Sequence, residues 1–169
     1  MNPDDVSIAV PPGWQHATDL DQGILVAARA PATPPSGFVP TFVLDAEPVE
    51  VDLDRWQRRA ATHLAELLEG FELEDTDDYH LGDESVRYCR IAFRTGEHDV
   101  VCEQWCWLVQ GIGFTLSCTV AREDHAELTD LFEDVATTFS VRDGPARPGH
   151  TGRSGRRSAR SRAGRAPSG

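Results

Sequence analysis

The chain has 169 residues, enough for one domain around a single core and too few for two ordinary ones. All sixteen basic residues are arginine, and their placement divides the formal net charge of −12: positions 142–169 hold eight Arg and one acid, +7, while positions 1–141 hold eight Arg and twenty-seven acids, −19. So acidic a surface repels phosphate backbones, whose affinity for proteins comes largely from cationic side chains displacing counterions, and this excludes residues 1–141 as a nucleic-acid module.

In chain order, Val6 to Val10 alternates small and apolar residues and stops at Pro11-Pro12-Gly13-Trp14, which predicts a first strand and a turn. The apolar run Ile24 to Ala28 predicts a second strand, paired back on the first as a hairpin. After a Pro-rich loop, Phe38 to Ala46 alternates again, with Phe42 and Leu44 on one side, a third strand. Between Asp52 and Gly70 the period changes to 3.6, with Leu53, Trp56, Ala60, Leu64, Leu67 and Leu68 on one face. Asp52 is expected to cap that helix and Gly70 to end it. Glu72 to Tyr79 is acidic and weakly alternating, as an exposed edge strand is, its charge discouraging edge-to-edge pairing.

The densest strand signal follows, as a meander over 86–94, 100–109 and 113–120 with turns at Thr95-Gly96-Glu97-His98 and Gln110-Gly111. A second helix begins near Asp124, with Glu127 completing a capping box and Leu128, Leu131, Phe132, Val135 and Phe139 on its apolar face. Beyond Val141 the composition is Gly, Pro, Ser and Arg, with no apolar residue larger than alanine, so residues 142–169 are expected to be a disordered tail.

The four cysteines, at 89, 102, 106 and 118, all fall inside predicted strands. Cys102 and Cys106 share a face, and four residues at ~3.3 Å rise separates them by about 13 Å, too far to bond or to share one metal. A cross-strand pair such as Cys102 with Cys118 stays geometrically open, but a reducing cytosol would keep it as thiols, and buried apolar cysteine is the expectation. The acidic run Asp75 to Glu84 lacks the glycine and terminal glutamate of a calcium loop, and no two histidines share a helix face at i, i+4. No phosphate loop, His-Glu-x-x-His, Gly-x-Ser-x-Gly or Cys-x-x-Cys spacing occurs. No catalytic, cofactor-binding or metal-binding residue is therefore assigned, and a non-enzymatic role is expected.

Glu103, Trp105 and Trp107 share one face of the predicted strand over 100–109, and Cys102, Gln104 and Cys106 share the other. If the cysteine face is the core, the two tryptophans form an open apolar patch with Glu103, a candidate interaction surface. The alternative is a second layer that covers them.

The motifs Ile8-Ala9-Val10-Pro11-Pro12-Gly13-Trp14, Phe38-Val39-Pro40-Thr41-Phe42-Val43, the Gln104 strand with Gly111, and Leu116-Ser117-Cys118-Thr119 resemble the PsbP-like α-β-α sandwich superfamily, and within it the actinobacterial LpqN lipoprotein group. The resemblance spans residues 6 to 141. It implies an α+β fold, an antiparallel sheet of six to seven strands with helices packed on it, and a binding role without catalysis. The start of the chain carries no basic n-region, apolar run or lipobox cysteine, and no stretch approaches eighteen apolar residues, so a cytoplasmic address and no transmembrane segment are expected.

These readings lead to a protein-binding module in residues 1–141, or to a small-ligand or lipid pocket between sheet and helices. The tail's Arg153, Arg156, Arg157, Arg160, Arg162 and Arg165 are candidates for weak contact with nucleic acid or anionic lipid, or with the chain's own acidic domain.

Overall fold

A computed structural model describes residues 5–82 and 84–142. The tail arginines from 147 onward therefore lie outside the described residues.

The strands β2 (Gln15–Asp19), β3 (Ile24–Arg29), β4 (Thr41–Pro48), β5 (Glu69–Leu81), β6 (Glu84–Thr95), β7 (His98–Val109) and β8 (Ile112–Ala121) form one sheet in the order β2-β3-β4-β8-β7-β6-β5. Every pairing in it is antiparallel. Helix α1 (Leu53–Leu67) lies between β4 and β5 in sequence, and α2 (His125–Thr137) follows β8. The short strands β1 (Val6–Ser7) and β9 (Ser140–Val141) pair with each other in a separate two-stranded sheet. The expected α+β architecture with a seven-stranded antiparallel sheet is the one observed.

Side-chain parity along β7 assigns the layers. Trp105 and Trp107 stand opposite Leu116 and Phe114 of β8 and share a core with Phe132 and Val135 of α2. Cys102 and Cys106 point the other way, where Trp56, Leu64 and Leu68, from α1 and the residue after it, pack. Each helix thus covers one face, and β7, central and covered on both, reads as a nearly continuous apolar run.

Three local expectations are corrected. Ile24–Arg29 pairs not with Val6–Val10 but with Gln15–Asp19, a polar and fully exposed edge strand whose sequence carries no burial pattern. Gly70 does not end α1: Leu68 closes the helix in an extended conformation, and Gly70, at φ +65°, lies in the bulge that starts β5. Leu67 consequently turns outward and is 65% exposed. At α2, Asp124 makes no capping bond, because a 3-10 turn over Arg122–Asp124 runs straight into the helix and leaves its side chain to accept from Ser36. Asp52 does cap α1, accepting from the Arg55 N–H at 2.8 Å. The acidic strand β5 occupies the sheet edge as expected.

Candidate functional site

The residues expected as an open patch are inside. Trp105 is 2% exposed, Trp107 1% and Glu103 3%, because α2 crosses that face of β7 and β8 and Phe139, just after the helix, stacks on the Trp107 ring at 4.2 Å. The second layer, not the open face, is the arrangement found.

Glu103 is the polar member of that face, and two side chains of α2 hold it. His125 Nε2 lies 2.7 Å from its Oε1, and the Thr129 hydroxyl donates to the same oxygen at 2.8 Å. His125 and Thr129 stand one turn apart on α2 and Glu103 on β7, so the carboxylate joins helix to sheet. A charge buried to this degree costs several kcal/mol unless so partnered, on the order of the penalty for one desolvated ion. Burial pushes the Tyr88 hydroxyl above the ordinary tyrosine range, and the Glu103 charge adds to the effect.

Beside α2, over β6 and β5, the layer is incomplete. A cleft of about 380 Å³ opens there, lined by Asp77, Tyr79, Tyr88, Arg90, Glu103, Trp105, Thr129 and Glu133. Cross-strand register places Asp77, Tyr88 and Trp105 in one row and Tyr79, Val86 and Trp107 in the next. The Trp105 indole donates to the Tyr79 oxygen at 2.6 Å, fixing that ring. Burial raises the Tyr79 pKa, so its hydroxyl keeps its proton at neutral pH. Asp77 and Glu133 flank the mouth, while Arg90, the cation in the lining, is engaged by Glu74 at 3.1 Å. The surroundings reinforce the sign: α2 carries Glu127, Asp130, Glu133 and Asp134 with no Arg or Lys. Carboxylates around aromatic rings are complementary to an ammonium or guanidinium group, through charge-assisted hydrogen bonds and contact with the ring face.

Three other concavities differ from it in size and lining. Under α1 a space of about 100 Å³, lined by Leu64, Leu73, Cys89 and Ile91, falls below the ~300 Å³ at which small-molecule sites begin. A shallow groove of about 640 Å³ runs beside Trp56, whose indole donates to Glu47 at 2.7 Å, with Arg59 and His63 on its far wall. Nearby Asp45 is raised to about 6, by burial and then by the Glu47 charge. On the same side of the sheet, β2, β3 and β4 present a sheet surface of small and polar residues around Ala27, Thr41 and Val43.

The cysteines are four free, buried thiols. Register rules out a Cys102–Cys118 bond, since Cys102 stands opposite Thr119 and Cys118 opposite Glu103, on different faces. Burial pushes Cys89 up to about 11 and Cys102 up to about 12, and Cys106 and Cys118 also well above the ordinary thiol. Among the described residues no group of three or more His, Cys, Asp or Glu is placed to hold a metal, and no helix is long and apolar enough to cross a membrane.

Sequence reasoning missed Tyr79, Tyr88, Asp77, Thr129 and Glu133 as one site. A signal existed: His125, Thr129 and Glu133 recur every four residues as a polar stripe beside the apolar stripe of α2, so the helix flank faces something polar. The strand partners were invisible without the register.

The two helical layers around a seven-stranded antiparallel sheet are those of the PsbP-like α-β-α sandwich, and the chain has that fold. Three solved structures similar to it are PA94 of Pseudomonas aeruginosa, a protein of unknown function for which regulation has been suggested (TM-score 0.65, 15% identity, 82% of this chain and 99% of that one), LpqN, involved in cell envelope biogenesis of Mycobacterium tuberculosis (0.64, 15%, 82% and 83%), and the cyanobacterial PsbP of Synechocystis sp. PCC 6803 (0.60, 16%, 82% and 87%). No family model and no curated protein sequence matches the chain.

Proposed function

We propose that the chain is a non-enzymatic accessory protein that binds a partner protein, and that the partner offers a basic segment to the cleft between α2 and β5. The observation that carries this reading is the placement of Asp77 and Glu133 beside the rings of Tyr79 and Tyr88. The fold it shares with PsbP and with the envelope-biogenesis protein LpqN supports an accessory role. Thiols held protonated by burial, and a buried glutamate whose neighbours all bind to it, support a binding site over a reactive one. Four unpaired cysteines fit a reducing compartment and support a cytoplasmic address.

Site-directed photo-crosslinking in the native cell tests the reading. A photoreactive residue at Asp77 is expected to capture a partner that the same residue at Glu66, on the outer surface of α1, does not. Identical products at both positions would remove the cleft from the proposal. The cleft's volume also favours a second reading, a small organic cation as ligand, since about 380 Å³ lies within the small-molecule range. Native mass spectrometry of gently isolated protein distinguishes it: a copurifying cation of a few hundred daltons supports it, and the bare mass of the chain contradicts it.

A further inference from the structure

The described chain ends at Arg142, just after β9. Arg142 donates its N–H to the Asp5 carbonyl at 2.7 Å, closing the β1–β9 pair. Three residues earlier Phe139 stacks on Trp107, and Trp107, Val86 and Tyr79 are successive neighbours across β7, β6 and β5. Two strand spacings, about 10 Å, therefore separate the Trp107 position, on which Phe139 stacks, from the Tyr79 position. Residues 143–169 contain Arg147, Arg153, Arg156, Arg157, Arg160, Arg162 and Arg165 and a single acid, Asp143. Arg153 follows Arg142 by eleven positions, and a chain of that length spans up to roughly 36 Å when extended. The reach is ample, and the charges are opposite.

We propose that the arginine-rich residues 143–169 of this same chain dock in the cleft, placing a guanidinium between Asp77 and Glu133 against the rings of Tyr79 and Tyr88. This rests on the reading of the cleft as a cation site, and it adds a regulatory consequence. A tethered segment competes at an effective concentration on the order of millimolar, so an external basic partner must displace it. The tail then sets a threshold of partner affinity or concentration below which the cleft stays closed. Because the contact is charge against charge near the surface, salt weakens it.

The test uses full-length chains and a fluorescein-labelled oligoarginine peptide, titrated at low ionic strength and read by fluorescence anisotropy. One chain is natural; in the second, Arg153, Arg156, Arg157, Arg160, Arg162 and Arg165 are each changed to Gln. The second is expected to bind the peptide about tenfold more tightly or better, because the internal competitor is gone. Adding Asp77→Asn and Glu133→Gln to that variant should cancel the gain, whereas the same loss of two charges by Asp19→Asn and Asp21→Asn, beside the opposite sheet edge, should leave most of it. Equal affinity for the natural and tail-substituted chains, with both dependent on Asp77 and Glu133, would overturn tail docking while leaving the cleft as a cation site. Binding indifferent to Asp77 and Glu133 in every chain would overturn both.

Discussion

Glu103 is buried beneath a helix, bonded to His125 and Thr129. Removing a buried carboxylate to which His125 and Thr129 both bond strands the two of them, so Glu103→Ala is expected to cost about 3 kcal/mol of unfolding free energy, and Thr129→Val about 1 kcal/mol, in urea denaturation. A loss below half of the first figure would mean that water replaces the carboxylate without difficulty. The cysteines give a second check at this scale. With their pKa values raised by burial, all four should resist a thiol reagent at pH 8 in the folded protein and react once it is denatured. A thiol that reacts at once in the native state would contradict the burial. That the cysteines would be buried was legible from their positions inside strands. The place of Glu103 was not, because one strand cannot say which face lies under a helix or whether both do; the apolar character of Val100 to Val109, interrupted only by Glu103 and Gln104, was the available hint of two covered faces.

Among the elements, α1 is fastened to the sheet where β8 has no side chain. A Cβ on Gly113 would sit 2.5 Å from Trp56 Cη2 and 2.7 Å from Val49 Cγ2, so Gly113→Ala must lift Trp56 off the sheet. A cost of about 2–3 kcal/mol is expected, with altered tryptophan fluorescence; a neutral effect would show that the helix yields freely. Arg87 secures the same helix from the other side, bonding Asp54 of α1 and Asp78 of β5, both at 2.6 Å. On β4, Asp45 has a folded pKa of about 6 against an ordinary value of 3.8. A raised carboxyl pKa penalises the folded state above that value and not below the ordinary one, so Asp45→Asn should stabilise by about 1 kcal/mol at pH 8, allowing for solvent screening of a partly buried group. That advantage should fade as the pH falls from 6 to 4; a benefit constant with pH would assign it to something other than ionisation. The long elements announced themselves through period and capping, as Asp52 did for α1. The short or polar ones did not: Gln15–Asp19 has no buried side to pattern it, and β1 and β9, two residues each, exist only through a pairing 133 positions apart in sequence.

For the whole molecule, charge organises what the fold leaves open. The described surface is acidic on α2 and on the edge strand β5, and the cleft between them adds aromatic faces to that field. Composition alone located the acidic and basic parts of the chain, whereas the cleft required tertiary structure, since its lining comes from β5, β6, β7 and α2. The most direct test is to map an oligoarginine peptide onto the full-length chain carrying the six tail Arg→Gln changes, following backbone amide shifts by two-dimensional NMR at low salt. Shifts concentrated at Asp77, Tyr79, Tyr88, Thr129 and Glu133 are predicted; shifts centred instead on Ala27, Thr41 and Val43, or spread evenly over every acidic surface, would contradict the cleft as the binding site.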